Sequence, residues 1–249
     1  MPSWNVHTAH VQRLLHEGSP RSLGVRDANA FLFGNFLPDT YVGYMVPSPS
    51  RLELYTFTHV AESAPIPVPR AQEFWDTYVE PVDPASALPA DMPNRDLAVS
   101  RLTSPSYRAN DVTLGCWAHI LCDGLYNSAT KAWIADRGVP TGERTRIRKQ
   151  TDFLYFGETL PITLECEVTP ELLAQCRDFV QYPVLEDEVR RSVAVARCIV
   201  EDNRRNHIEG TPDYSLFTED CFHEVFEHVT ERLYGQLRAY AGRLDARGA

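Results

Sequence analysis

The segment LGCWAHILCDGLYN, residues 114–127, places three polar side chains at intervals of four residues, namely His119, Asp123 and Asn127. An α-helix turns once per 3.6 residues, so these side chains form one polar stripe. The residues around the stripe are mostly apolar, and we therefore expect the helix to be buried on most sides. Burying a carboxylate without a partner is costly. The stripe thus predicts a metal site, a salt bridge or a dense hydrogen-bond network.

Histidines near the N-terminus offer further nitrogen ligands. His7 and His10, in the run HTAH, lie one helical turn apart and can share a face that binds one ion or two neighbouring ions. His59 stands alone, directly before a dense run of prolines. A histidine in that place is a candidate ligand, or else a surface or hydrogen-bonded core residue.

The run GNFLPD, residues 34–39, offers a carboxylate. Gly34 is expected to end a helix in the left-handed conformation, and Pro38 then directs the chain so that Asp39 stands at the helix end. Asp39 is therefore either a functional carboxylate or a turn residue. Later in the chain, His223 and Glu227 have the spacing of two ligands on one helical face, although the acidic residues around them favour a solvated surface.

Taken together, these residues predict a metal site. His119 and Asp123 supply two ligands from one helix, and other segments add His7 or His10, Asp39 and His59. Nitrogen and carboxylate ligands suit zinc, manganese or iron better than calcium. One aspartate shared by two ions would bring them to the separation used in two-metal phosphoester hydrolysis. The alternative is a buried polar network that joins helices.

Composition narrows the class of protein. The chain has 249 residues, of which 43% are hydrophobic and 23% charged, and its 24 Lys and Arg against 34 Asp and Glu give a formal charge of -10. Without a basic run, a nucleic-acid surface is not expected. The N-terminus has no apolar signal segment and no stretch is long enough to span a membrane, which predicts a cytoplasmic protein. The six cysteines form no CxxC pair and are expected to be reduced thiols, mostly in the core.

Helical patterns dominate the chain and predict a single, mainly α-helical domain over residues 1–249. The predicted helices cover about 8–15, 26–35, 110–135, 142–159, 184–206 and 218–243, with a further two turns after Arg95. Prolines make long helices improbable over a connection at about 47–93, apart from a short helix near 72–78. Within that connection, residues 51–58 alternate in polarity and are either a strand or irregular structure.

The order of these motifs resembles the zinc-dependent phospholipase C superfamily, which includes the single-strand nucleases of the P1 type. The resemblance rests on WNVH at the N-terminus, GNFLPD, one intervening histidine, and GCWAHILCD, and it covers about the first half of the chain. It implies an all-α, multi-helix fold in which a cluster of metal ions hydrolyses phosphoric esters. The residues that it assigns to the cluster are Trp4, His7 or His10, Asp39, His59, His119 and Asp123.

The chain departs from the family at two places. Asn127 stands where the family commonly has a further histidine ligand, and the remaining ligands would have to come from His223 and Glu227 or from Asp152. Secreted family members expose the tryptophan as their mature N-terminus and use its amine on the metal. Here Trp4 follows Met-Pro-Ser, so an amine ligand is not expected.

The predicted function is a metal-dependent hydrolase that acts on a small phosphoric ester, either a phosphodiester or a phosphomonoester. One or two zinc ions, with manganese or iron as alternatives, would activate the attacking water, and Asp39 would orient or deprotonate it. The alternative is a non-catalytic helical protein of the same fold, in which the stripe serves as a structural metal site or a buried polar network.

Overall fold

The computed structural model describes residues 2–43, 45–90, 92 and 94–248, and within these ranges the regular secondary structure is entirely helical. The helices are α1 (Trp4–Glu17), α2 (Ala28–Gly34), α3 (Leu37–Thr40), α4 (Tyr55–Thr58), α5 (Ala71–Phe74), α6 (Pro84–Ala87), α7 (Arg95–Leu102), α8 (Asp111–Asp136), α9 (Glu143–Thr159), α10 (Pro170–Arg177), α11 (Glu186–Arg205) and α12 (Glu219–Gly248). The prediction of an all-α protein is therefore confirmed.

The long helix α8 lies at the centre of the fold. Its first turn is capped by Asn110, whose side-chain oxygen accepts a hydrogen bond from the Thr113 amide at 2.9 Å. Helices α2, α3, α5, α10 and α12 all pack against it. Its apolar residues, which surround the polar stripe, are buried as the sequence predicts. Buried apolar side chains from almost every helix form one contiguous core around it.

Helices α2 and α8 cross at two glycines. A Cβ atom at Gly34 would lie 2.2 Å from the carbonyl oxygen of Val112, and one at Gly115 would lie 2.0 Å from that of Phe31. Gly34 is the last residue of α2 and does not adopt the left-handed conformation, so that prediction is wrong. The glycine serves close backbone approach rather than a turn, and this approach brings the end of α2 against the polar stripe of α8.

The N-terminal helix α1 is held by helices from the second half of the chain, namely α9, α11 and α12, as well as by α2. It begins at Trp4, one turn earlier than predicted, because residues 4–11 are buried and pack into the core. This early start places His7 in the protein interior. Its position therefore depends on late elements of the sequence.

The described residues between 47 and 92 form short helices only, as the prolines of this connection predict. Residues 51–54 are irregular and the next four form the single turn α4, while α5 continues into a wider helical turn at Trp75–Val79. Pro93, one of the prolines behind this prediction, lies outside the described residues. The sequence analysis did not predict α10.

The prediction that the cysteines are reduced is confirmed, and the prediction that they lie mostly in the core holds for four of the six. All six are free; Cys116, Cys122, Cys166 and Cys176 are buried, whereas Cys198 is exposed. No helix of the described part of the chain has the length and apolar character to cross a membrane.

Candidate metal centre

The stripe on α8 faces the interior. His119, Asp123 and Asn127 are 0%, 0% and 1% exposed. Nδ1 of His119 lies 2.8 Å from the carbonyl oxygen of Asn35 at the end of α2, an acceptor, so this nitrogen carries a proton and donates. The other ring nitrogen, Nε2, is then free to bind a metal. The close α2–α8 contact therefore fixes both the orientation and the tautomer of His119.

The carboxylate of Asp123 lies between His7 and His59. Its Oδ1 atom is 3.4 Å from Nε2 of His7, and its Oδ2 atom is 3.6 Å from Nε2 of His59. Oδ2 also accepts a hydrogen bond from the hydroxyl of Tyr55 at 2.8 Å. Oδ1 has no hydrogen-bond donor. The carboxylate thus keeps one oxygen for a ligand that brings positive charge.

The carboxylate of Asp39, like that of Asp123, has one hydrogen-bonded oxygen and one unpaired oxygen. It lies in the short helix α3, and its Oδ2 atom accepts a hydrogen bond from the Trp4 indole at 3.0 Å. Its Oδ1 atom has no donor and is 3.5 Å from Nε2 of His59. Each of the two carboxylates therefore receives one hydrogen bond from an aromatic ring and leaves its second oxygen unpaired.

The two imidazoles of His59 and His119 meet at close range. Their Nε2 atoms are 3.1 Å apart, and Nδ1 of His59 lies 2.8 Å from the hydroxyl of Thr58. Because His119 carries its proton on Nδ1, its Nε2 presents a lone pair to His59. A proton or a cation must lie between the two nitrogens to avoid repulsion.

His7 is buried without a hydrogen-bond partner. Its ring stacks on His119 with the centroids 4.0 Å apart, and neither ring nitrogen makes a hydrogen bond of good geometry. An unpaired polar group in the interior usually costs about 1–3 kcal/mol, so this one calls for a ligand.

The donor atoms fit a metal ion. Two groups of three ligands lie close enough to share one: His7, His119 and Asp123, and Asp39, His59 and His119. The donor atoms of a tetrahedral site, about 2.0–2.2 Å from the ion, lie about 3.3–3.6 Å from one another. The nitrogen-to-oxygen distances from His7 and His59 to the two carboxylates, 3.4, 3.5 and 3.6 Å, match that spacing. Those from His119 to Asp39 and Asp123 are slightly longer, at 3.9 and 3.8 Å. His119 offers one free nitrogen, so it can serve only one ion at a time.

The electrostatics also favour a cation. Burial lowers the pKa of His7 to about 4 and lowers that of His59 as well, so both are neutral at pH 7. Burial alone would raise the pKa of Asp39 and of Asp123, but the surrounding imidazoles, His119 foremost, outweigh it and hold both values below the ordinary range. The buried carboxylates thus carry two negative charges, which a divalent cation would neutralise.

Four predicted site residues lie outside the cluster: His10, Asp152, His223 and Glu227. Nδ1 of His10 lies 2.9 Å from the Thr230 hydroxyl and its Nε2 lies 3.2 Å from the Tyr126 hydroxyl. Asp152 instead accepts hydrogen bonds from the backbone amides of residues 215–217.

The pair on α12 points to the surface. Glu227 forms a bidentate ion pair with Arg13, and His223 is exposed and lies 3.8 Å from Glu219. Asn127 lies beside the cluster, where its amide nitrogen donates to the carbonyl oxygen of Pro67 at 2.9 Å.

The sequence analysis missed Tyr55 and Asn35, which contact the candidate ligands directly. Tyr55 precedes His59 by four residues, which is one helical turn, and its ring stacks on the imidazole with the centroids 3.8 Å apart. That spacing was the only available signal. Asn35 contributes mainly its backbone carbonyl, which no sequence pattern identifies.

No protein-family model, no curated protein and no solved structure matches this chain.

Proposed function

We propose that this protein is a metal-dependent hydrolase of phosphoric esters, built on a fold of the type found in the zinc-dependent phospholipases C and P1-type nucleases. The observation that carries the proposal is the convergence of two carboxylates and three imidazoles in one buried cluster with unpaired polar atoms. These five residues come from four segments: His7, Asp39, His59, and the pair His119 and Asp123. The N-terminal helix, the GNFLPD turn, the single histidine and the HxxxD helix contribute in the order that the family resemblance implies.

Asp39, His59 and His119 would hold one ion, and His7 with Oδ1 of Asp123 would contribute to a second position. Zinc is the metal that we assign, since imidazole and carboxylate ligands at tetrahedral spacing suit it, and manganese or iron are the alternatives. A bound divalent ion supplies positive charge that polarises a phosphoryl group and acidifies water. The earlier prediction that Asp39 orients or deprotonates that water stays a prediction.

The remaining residues of the site serve the ligands. Trp4 and Tyr55 each donate to one oxygen of a carboxylate and so direct the other oxygen inward. The Asn35 carbonyl holds His119 in the tautomer that binds a metal. We propose a small phosphomonoester or phosphodiester as the substrate.

A second candidate function is structural, and one observation favours it. All five candidate ligands are between 0% and 2% exposed, as in closed metal sites that stabilise a fold. In that case the same residues hold a structural ion, or a buried polar network, in a protein that turns over no phosphoester.

Elemental analysis of the purified protein beside His119→Ala tests the proposal. We expect near-stoichiometric zinc, manganese or iron in the wild type and loss of that metal in the variant. His223→Ala, which changes an exposed histidine on α12, is the matched control and should keep the metal. Hydrolysis of p-nitrophenyl phosphate and of bis-p-nitrophenyl phosphate then separates the two functions. Metal binding without turnover would favour the structural one, and a wild type that stays metal-free after reconstitution would refute both metal hypotheses.

A further inference from the structure

One segment covers the candidate metal centre. Residues 48–60, which we call the strap, carry the ligand His59 and, one turn earlier, Tyr55. Tyr55 is only partly buried, whereas the five candidate ligands are almost completely buried. The strap therefore separates the cluster from solvent.

Tyr55 contacts the cluster in two ways. Its hydroxyl donates to Oδ2 of Asp123 at 2.8 Å, and its ring lies on the imidazole of His59 with an interplanar angle of 21°. Asn127, the third residue of the polar stripe, donates its amide to the carbonyl of Pro67 at 2.9 Å.

The outer part of the strap is anchored to α11 and the residues before it. The Ser50 amide donates to the carboxylate of Glu188, which is fully buried, and Arg191 donates to the carbonyl of Ser48. Arg51 donates to the carbonyl of Pro183 and stacks on the ring of Tyr41, with 4.6 Å between its guanidinium carbon and the ring centroid. These contacts hold the strap closed without touching the ligands.

The strap ends at two strained residues. Ser48 and Val60 both have φ of 50°, which non-glycine residues rarely adopt and which is especially unfavourable for a β-branched side chain. A cavity of about 170 Å³ is lined in part by Thr56, Phe57 and Val60. The cavity therefore borders the part of the strap that does not contact the cluster, and it leaves room for these residues to shift.

We propose that Tyr55 is a positioning residue of the metal centre: its hydroxyl fixes the Asp123 carboxylate and its ring covers His59. The strap must therefore shift before an ion or a phosphoric ester reaches the ligands. This inference rests on the proposed function, since it takes the cluster to be a metal site. The strap thus adds a barrier to metal exchange that the ligands alone do not provide.

The rate of metal exchange tests this inference without any assay of catalysis. The protein is loaded with Co²⁺, whose visible absorption reports its coordination, and the release of the ion to excess EDTA is followed by stopped flow. In Tyr55→Phe we expect release to be about tenfold faster, because one hydrogen bond to a charged group is lost while the ring remains. In Tyr55→Ala, which also uncovers His59, we expect a further increase and a shifted Co²⁺ spectrum.

Arg51→Ala tests the strap at a distance from the ligands. Loss of the contacts with Tyr41 and Pro183 should accelerate release by about threefold, in line with the strength of a cation–π contact, and leave the Co²⁺ spectrum unchanged. The matched control is Tyr107→Phe, which removes a phenol hydrogen bond to the carbonyl of Tyr78 and keeps every anchoring contact of the strap. It should release Co²⁺ at the wild-type rate.

Two results would overturn the inference, and they are distinguishable. Wild-type release rates in Tyr55→Phe, Tyr55→Ala and Arg51→Ala, even with lowered melting temperatures, would show that Tyr55 only packs and would leave the proposed function intact. A wild-type protein that binds no Co²⁺ would refute the proposed function, and the role of Tyr55 with it.

Discussion

At the scale of single residues, hydrogen bonds to the candidate ligands decide what the cluster can bind. The Asn35 carbonyl sets the tautomer of His119, and the Trp4 indole and the Tyr55 phenol each occupy one carboxylate oxygen. The unpaired Oδ1 of Asp123 lies 3.4 Å from the unpaired Nε2 of His7, and the unpaired Oδ1 of Asp39 lies 3.5 Å from Nε2 of His59. The cluster is therefore suited to bind a cation.

The first prediction concerns Asp123, whose carboxylate lies within 3.8 Å of His7, His59 and His119. Asp123→Asn keeps the shape of the side chain but removes its charge and makes it a poor metal ligand. We expect metal content to fall from near stoichiometric to near zero, and any phosphoesterase activity to fall by at least about a hundredfold. Elemental analysis and an assay on p-nitrophenyl esters measure the two effects. Full metal content and turnover in Asp123→Asn would contradict the assignment.

The second prediction concerns His10, which is buried and neutral. The Thr230 hydroxyl donates to the Phe226 carbonyl, so it accepts from Nδ1 of His10, and the Tyr126 hydroxyl donates to Nε2. A second proton would have no acceptor there, and burial holds the pKa of His10 well below 6.5. As the pH falls below about 6.5, the unfolded chain binds a proton that the folded protein does not, so the free energy of unfolding decreases by up to about 1.4 kcal/mol per pH unit.

Urea titrations between pH 7.5 and pH 4.5 measure this slope. In His10→Gln the slope below pH 6.5 should be smaller than in the wild type, while above pH 7 both proteins should be insensitive to pH at this position. Equal slopes in the two proteins would mean that His10 is protonated in the folded state.

Sequence reasoning identified the candidate ligands better than their supports. The four-residue spacing of His119 and Asp123 predicts a shared face because it follows from helix geometry alone. The choice between His7 and His10 could not be made, since it depends on how α1 is rotated against its neighbours. Tyr55 was missed for the same reason: its role follows from where the strap packs and not from its type.

At the scale of elements, the crossing of α2 and α8 positions the cluster. Gly34 and Gly115 let the two backbones approach so closely that the end of α2 reaches His119. The sequence predicts that Gly34 ends a helix in the left-handed conformation, because glycine is typical of that position. A requirement for close approach arises only from the partner helix, so local pattern could not reveal it.

The third prediction tests this crossing. A methyl group at Gly115 would lie 2.0 Å from the Phe31 carbonyl oxygen, which belongs to backbone and cannot move aside. We expect Gly115→Ala to lower the free energy of unfolding by at least about 3 kcal/mol through overpacking. Denaturant unfolding measures the change.

Gly235→Ala is the matched control for that substitution. It lies inside α12, and a Cβ atom there would meet nothing within 4 Å. The variant should be more stable than the wild type by about 0.5–1 kcal/mol, since alanine favours a helix over glycine. If both variants have the same stability, the close contact between α2 and α8 carries no energetic weight.

At the scale of the whole molecule, the sequence predicted most helices and their approximate bounds, because each depends on periodicity, prolines and caps. The predicted bounds of the long helices agree with the observed bounds within a few residues at most ends. The sequence did not predict which helices touch. In particular, the packing of α1 against α9, α11 and α12 joins distant parts of the chain, and no local signal encodes such contacts.

The fourth prediction links metal and global stability. An ion that binds only the folded protein stabilises it by about 2.7 kcal/mol at a hundred times its dissociation constant. For a chain of this size, removal of the ion should lower Tm by about 5–10 °C. Differential scanning fluorimetry with and without chelator measures the shift. His119→Ala should show no response to chelator, and a response equal to that of the wild type would place the ion elsewhere.

The position of α1 has a consequence for how the protein is made. On the ribosome, the segments that carry Asp39, His59, His119 and Asp123 emerge well before α9, α11 and α12, the helices that hold α1 and its His7 in place. His7 is synthesised before the other candidate ligands but reaches its place after them. A nascent chain that lacks α12 should therefore hold an incomplete centre, and acquisition of the full set of ligands becomes a step that follows the synthesis of α12.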